Sequence, residues 1–270
     1  MRTTEPNPGP GTGRAACRVP ARRPARPSRP GAVRRAMAIT GAAIAATAAL
    51  GACRPGDLAA GPDGRRRNQE RADYTITAAV TALDVASATG DITVTEADRS
   101  GVRVVETLHW RGGADARPRT RREVKDGVLV LRYRCRGRAR RCSVDYRVEV
   151  PRGLAVKVSG GAGTIALRGL SGNVTASTGA GRITGEDLAA KRLVGESGAG
   201  DVEVRFGTVP DDVRIDVGAG NGVVHVPPGR YAVTTEAQVG ERRVEVERDG
   251  SAPHRIVVRS GAGDARVLRI

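Results

Sequence analysis

Aromatic side chains are nearly missing: the 270 residues hold one Trp, one Phe and four Tyr. Single-stranded nucleic acid is bound by stacking its bases on such rings, so a nucleic-acid partner is not expected. Histidine is sparse as well, with His109, His225 and His254 set apart and sharing no motif. Neither G-x-S-x-G nor H-E-x-x-H occurs. An enzyme needs convergent side chains, so the chain is expected to be non-enzymatic, with no catalytic residues, metal site or cofactor. The carboxylate pairs Glu186/Asp187 and Asp211/Asp212 fall in apparent loops. A long membrane run is also lacking. The uncharged, Ala-rich stretch Met37–Leu50 is shorter than the ~20 residues of an ordinary membrane helix.

Glycine is abundant, at 36 residues, and the apolar residues are mostly Val, Ala, Leu and Ile. Val favours strands and Gly favours turns, which points to thin stacked β layers. The formal net charge is +16, and a value of this size invites a nucleic-acid reading. Mapping the charge weakens that reading. Residues 1–53 hold nine Arg and one Glu, and residues 111–141 hold 12 Arg or Lys against three Asp or Glu. The rest of the chain is close to neutral, so the chain has a basic patch rather than a basic character throughout. With 42 Arg to 3 Lys, codon bias of a GC-rich genome accounts for much of the arginine.

"RRAMAITGAAIAATAALGAC" carries the clearest functional signal. Arg34 and Arg35 open it, an apolar run of signal-peptide length follows, and Leu50-Gly51-Ala52-Cys53 closes it. The ending resembles the lipobox of bacterial lipoproteins, which implies lipidation at Cys53. Residues 1–53 are therefore expected to be an N-terminal extension and lipoprotein signal peptide, with Val33 a candidate true start because the Pro/Arg-rich stretch before it reads as disordered. Residues 54–73 read as a flexible linker, and residues 74–270 as a β-strand-repeat domain.

Two strands flank Thr89-Gly90-Asp91, and a third runs through "VRVVETLHW", with Val102, Val104, Leu108 and Trp110 on one face. Residues 111–126 read as a polar Arg-rich connection. Leu129, Leu131, Tyr133 and Cys135 then share one face, as do Cys142, Val144, Tyr146, Val148 and Val150, so these two strands are expected to pair as a hairpin. In an oxidising space Cys135 and Cys142 would form a disulfide. The alternative is a metal pair, but two thiols without further Cys or His make a poor zinc site. The loop between them is "RGRARR". Its Arg136, Arg138, Arg140 and Arg141 are either a solvated turn or a candidate contact for anionic wall polymers or lipid heads.

Gly-Ala-Gly occurs five times, at Gly161–Gly163, Gly179–Gly181, Gly198–Gly200, Gly218–Gly220 and Gly261–Gly263. The last gap is double, with Gly240 near its middle. A period near 20 residues signals stacked units, each reading as strand, glycine corner, strand, and hence a β-solenoid. A phosphate loop would need a helix next, and "LRGLSGN" has no helical face. A calcium-binding β-roll would need Asp at fixed places, yet Asp follows the triplet only at Asp201 and Asp264. The triplets are expected to be structural turns, with glycine permitting positive φ and alanine filling a tight stacked bend.

"GDITVTE", "CSVDYRVEVPRG" and the serial "SGAG" and "TGAG" units resemble a bacterial family of β-strand-repeat domains of unknown function, named putative adhesins and common in lipoproteins. The resemblance covers roughly Val85–Ile270. It implies an all-β, extracytoplasmic β-solenoid with an antiparallel hairpin region at its N-terminal end. The expected function is a surface binding or adhesin-like scaffold, held by a lipid on the outer face of the cell membrane. Its partner would be a cell-envelope polymer or a membrane protein. The alternatives are an envelope-stress sensing domain and a β-helix polysaccharide-active enzyme, which would stack Asp, Lys or Arg along one face.

Overall fold

A computed structural model describes residues 67–136 and 142–270. Cys53, the expected lipidation site, lies outside these residues, as do Arg138, Arg140 and Arg141. The first strands are β1 (Arg67–Ile76), β2 (Ala82–Thr89), β3 (Ile92–Glu96) and β4 (Val102–Arg111). A 3-10 turn at Ala114–Ala116 leads to β5 (Arg119–Lys125), β6 (Val128–Arg134) and β7 (Cys142–Val150). Four strand pairs follow: β8 (Ala155–Ala162) with β9 (Ile165–Arg168), β10 (Val174–Ala180) with β11 (Ile183–Leu188), β12 (Arg192–Ala199) with β13 (Val202–Phe206), and β14 (Asp212–Ala219) with β15 (Gly222–Val226). The remaining strands are β16 (Arg230–Val239), β17 (Arg242–Val244), β18 (Glu247–Arg248), β19 (Arg255–Ala262) and β20 (Ala265–Arg269).

The two members of each pair do not bond to each other. They enter opposite sheets, and a glycine corner turns the chain from one to the other. Sheet A runs β1-β4-β7-β3-β9-β11-β13-β15-β20-β17, and sheet B runs β18-β16-β19-β14-β12-β10-β8-β2-β6-β5. Pairing is parallel through most of both sheets, a β-solenoid-like arrangement. Antiparallel contacts are confined to β1 with β4, β4 with β7, and β5 with β6.

Alternation decides what faces inward. Leu83, Val85, Val156, Val158, Val213, Ile215, Ile256 and Val258 from sheet B meet Ile92, Val94, Ile165, Leu167, Val202, Val204 and Val224 from sheet A, and all are buried. In β12 the inward positions are Leu193, Gly195 and Ser197, so Val194, although apolar, points outward. Phe206, Tyr146 and Tyr231 are the largest fully buried side chains. The core is thus built from branched aliphatics with few rings, as the composition requires.

The structure changes three expectations and adds a fourth feature that the repeat period leaves open. First, Cys135 and Cys142 do not close a hairpin. Strand β6 pairs with β2 and β5 in sheet B, and β7 pairs with β3 and β4 in sheet A. Period-2 alternation shows which residues share a face, and it is silent on which strand lies alongside. Second, residues 119–125 form a strand, β5, whose residues are all exposed. An edge strand with both faces in water has no apolar alternation to reveal it. Third, β1 starts at Arg67, inside the stretch read as linker, and it too is an edge strand of polar character. Fourth, the coils are not stacked in chain order. β19 lies between β14 and β16, and β20 lies between β15 and β17. The chain first builds the outer coil, residues 230–248, and then fills the gap behind it with residues 255–269. All four sheet edges carry charge, on β1, β5, β17 and β18. Charged and very short edge strands suppress pairing with another chain.

Candidate functional site

At the corners, the stacking of coils determines the side chain. A Cβ at Gly220 would lie 2.6 Å from the Gly200 carbonyl oxygen, and one at Gly200 would collide with the carbonyl of Gly181. Gly200 also has φ of +123°. The same collision recurs from coil to coil at Gly163, Gly181 and Gly263, each against the third glycine or its equivalent in the coil beneath. The first glycines, Gly161, Gly179, Gly198, Gly218 and Gly261, meet the main chain of the adjacent coil in the same way, Gly198 at 2.6 Å from the Gly179 carbonyl oxygen. Positive φ is therefore only part of the reason for glycine. At Gly181, whose φ lies outside the left-handed region, close approach alone excludes a side chain.

The middle residue differs from expectation. Ala162, Ala180, Ala199, Ala219 and Ala262 are all exposed, so they do not fill a packed bend. Bonds from either side stabilise the corner instead. From within, the Ser260 hydroxyl donates to the Gly220 carbonyl at 2.8 Å and the Ser197 hydroxyl to the Gly181 carbonyl at 3.3 Å. Just past the corner, Asp201 Oδ1 accepts from the Asn221 main-chain N–H at 2.9 Å. Asn221 Oδ1 accepts from the Asp264 N–H at 2.9 Å, and Asp264 Oδ1 from the Glu241 N–H at 2.8 Å. These Asp and Asn side chains cap the next coil, which gives them a structural role without any bound cation. Among the described residues no group of three or more His, Cys, Asp or Glu is placed to hold a metal ion.

The glycine row leaves a bare floor on the outer face of sheet B. Gly198, Gly218 and Gly261 line a groove of about 560 Å³ together with Ser177, Glu196, Asp216, Glu236 and Arg259. One rung of the sheet holds the polar wall, in the order Ser159, Ser177, Glu196, Asp216, Arg259, Glu236. The Ser177 hydroxyl donates to Ser159 Oγ at 3.3 Å. Arg259 Nε donates to Glu236 at 3.0 Å, and Arg214 Nε to Asp216 at 2.6 Å. These ion pairs are open to water, and Arg214 and Asp216 retain 54% and 29% side-chain exposure. A glycine floor lets a ligand or another chain approach the main chain closely.

The Cys135–Cys142 disulfide is present, with the Cα atoms 6.0 Å apart. It joins the end of β6 to the start of β7 and so ties sheet B to sheet A at the N-terminal end. Arg136 beside it is exposed. The small loop it closes corresponds to a stabilisation of about 2–3 kcal/mol. Cys135→Ser combined with Cys142→Ser is expected to lose about that much in urea unfolding, and an unchanged midpoint would contradict it.

The histidines stay apart. His109 Nε2 lies 2.9 Å from Asp145 Oδ2, His225 Nε2 lies 3.3 Å from Glu203 Oε1, and His254 Nδ1 lies 3.0 Å from the Pro210 carbonyl oxygen. Ser143 stands opposite His109 in register, but among the described residues no hydrogen bond joins the two. The pairing of His109 with Asp145 was not visible in the sequence, because the two lie on different strands. Glu106 was also missed. It sits at an inward position between Val104 and Leu108, is 2% exposed, and accepts from the Tyr74 hydroxyl at 2.6 Å. Burial, and then the bond to Glu106, push the Tyr74 phenol well above its ordinary value.

No family model matches the chain, and no curated protein matches it. Among solved structures, a putative cell adhesion protein from Clostridium sporogenes is similar at 13% identity and a TM-score of 0.44, over 75% of this chain and 100% of that one. A putative adhesin from Parabacteroides merdae is similar at 14% identity and a TM-score of 0.31, over 75% and 96%. One from Bacteroides fragilis is similar at 13% identity and a TM-score of 0.32, over 75% and 97%. Likeness at these identities and scores transfers no function to this chain.

Proposed function

We propose that the chain is an exported, lipid-anchored binding scaffold of the bacterial cell surface, adhesin-like and non-catalytic. The observation that carries this reading is the glycine-floored groove, an open and extended surface whose polar rung is paired at Ser177, Asp216, Arg259 and Glu236 and which suits contact with a polymer or protein. In this reading Cys53 bears the lipid, and coils of about 20 residues present their outer faces beyond the membrane. The inter-sheet disulfide supports an oxidising location, since such bonds persist outside the cytoplasm. Lipoprotein lipids anchor through buried methylenes, each contributing ~0.8 kcal/mol.

Among the described residues, the stacked carboxylates Glu196, Asp216 and Glu236 are the feature that favours a polysaccharide-active enzyme. They weigh less here because Arg259 and Arg214 pair with two of them on an open surface, whereas a general acid needs a site that raises its pKa.

Cys53→Ala is expected to abolish metabolic palmitate labelling and to move the protein out of the membrane fraction or leave an unprocessed precursor. Unchanged labelling in that variant would end the lipid-anchor reading.

A further inference from the structure

We infer that the outer face of sheet A, opposite in direction to the glycine-floored groove, carries a binding site for a phosphate-backbone polyanion centred on Arg147. Four arginines from distant parts of the chain converge there. Arg71 on β1, Arg103 on β4, Arg147 on β7 and Arg168 on β9 line a groove of about 570 Å³, with Thr93, Thr95 and Val105 beneath them. One rung of the sheet reads Asp73, Val105, Arg147, Thr93, Ala166, and the next reads Thr75, Arg103, Glu149, Thr95, Arg168.

The carboxylates at this face are already engaged. Asp73 accepts from Arg103 at 2.7 and 3.0 Å, and this pairing holds its carboxyl below the ordinary range. Glu149 accepts from Arg99 and, at 3.3 Å, from Arg103. Arg168 has one contact, to Glu186 at 3.4 Å, with both side chains more than half exposed. Among the described residues, neither Arg71 nor Arg147 lies within ion-pair distance of a carboxylate. Two unmatched guanidinium groups and a third weakly matched one therefore face the same groove.

Their layout describes the ligand. β1, β4, β7, β3 and β9 are successive strands, and four steps of about 4.8 Å make a span of about 19 Å. A single small anion cannot bridge that distance, whereas a chain with repeating charges can cross the strands and meet Arg71, Arg147 and Arg168 in turn. Guanidinium forks match phosphate oxygens in bidentate pairs, and the Thr93 and Thr95 hydroxyls supply further donors. No aromatic ring lines the groove, so sugar rings and unpaired bases have nothing to stack on. Recognition would therefore fall on the charged backbone of the polymer. This site is separate from the sheet B groove, and its occupancy does not depend on Cys53.

The test is binding of linear polyphosphate to the purified full chain across a salt series, followed by fluorescence anisotropy. R71Q combined with R147Q should weaken binding by about tenfold or more, through loss of charge-assisted bonds, with the melting temperature unchanged. R119Q combined with R121Q removes the same charge from β5 and should change affinity by less than about threefold if the groove is the site. T93V leaves the charge intact and should weaken binding by about two- to tenfold, the loss of one hydrogen bond of ordinary strength. Inorganic phosphate should compete only at far higher concentration. Equal losses in the two double variants, or no binding by the wild type, would overturn the site. Single-stranded DNA binding as tightly as polyphosphate, with the same sensitivity to R71Q and R147Q, would replace the ligand with a nucleic acid. Intact polyphosphate binding by a chain that fails to label with palmitate would fault the surface-anchor reading and leave this site standing.

Discussion

Deleting residues 255–270 is expected to destabilise the fold as severely as deleting everything after Pro228. In a solenoid stacked in chain order, loss of the last coil exposes one new end and spares the other interfaces. Here β19 and β20 are interior strands. β16 pairs only with β19 and the two-residue β18, and β17 pairs only with β20. Removing the inner coil therefore strips the outer coil, residues 230–248, of its support. The deletion removes Ile256, Val258 and Val267 from the core and leaves Tyr231, fully buried in the intact fold, without the coil beside it. Losing a buried aromatic side chain alone typically costs about 3–5 kcal/mol. The full-length edges of β14 and β15 would then be exposed, and such edges invite aggregation. Urea unfolding of the two truncated chains should give midpoints close to each other and far below the wild type. A midpoint for the 255–270 deletion within a few tenths molar of the wild type would show that the coils stack in chain order.

The second large effect lies at one corner. Gly200→Val meets two costs at once. A β-branched residue at φ of +123° is strained by about 1–2 kcal/mol in the backbone. Its Cβ also collides with the Gly181 carbonyl, and overpacking of this kind typically costs a further ~1–3 kcal/mol. For a unit of this size the melting temperature should fall by roughly 5–20 °C. Asp201→Ala should come next, at about 0.5–1.5 kcal/mol, because the Asn221 N–H loses its acceptor. Ala199→Val should be nearly silent, within about 0.5 kcal/mol, because Ala199 is exposed. Melting curves of the three variants with and without calcium and phosphate would settle the order. A calcium-dependent wild-type melting temperature, lost in Asp201→Ala, would turn the corners into ligand sites.

How far the sequence could be read follows from what its patterns encode. Alternating Val and Ile showed strands and their inward faces, and repeated glycine corners showed parallel stacking, so the all-β class was legible. The disulfide partners were legible from their shared apolar faces and from the export that the sequence led one to expect. The neighbours of each strand were not. β6 and β7 alternate in the same way although they belong to different sheets, and nothing local in residues 255–269 says that they insert between earlier coils. β5 did carry one overlooked signal: Asp126-Gly127, with φ of 51° and 74°, is the two-residue turn that closes a tight hairpin. It outweighs the lack of apolar alternation in a strand that is exposed on both faces. The arginine groove had no local signal. Arg71 and Arg147 lie in separate stretches of unremarkable charge, and only the order β1-β4-β7 brings them to one face. Ala199 was misread because sequence alone does not show whether the middle of a corner points into the stack or away from it.

The central claim is that a disulfide-tied β unit stands on the outer face of the membrane, held by the segment after Cys53. Protease added to intact wall-stripped cells tests this most directly. Cleavage is predicted within residues 54–66, releasing into the medium a resistant fragment that runs to Ile270 and contains oxidised Cys135 and Cys142. Protection of the whole chain until the cells are lysed, or a released fragment with both thiols free, would contradict the account.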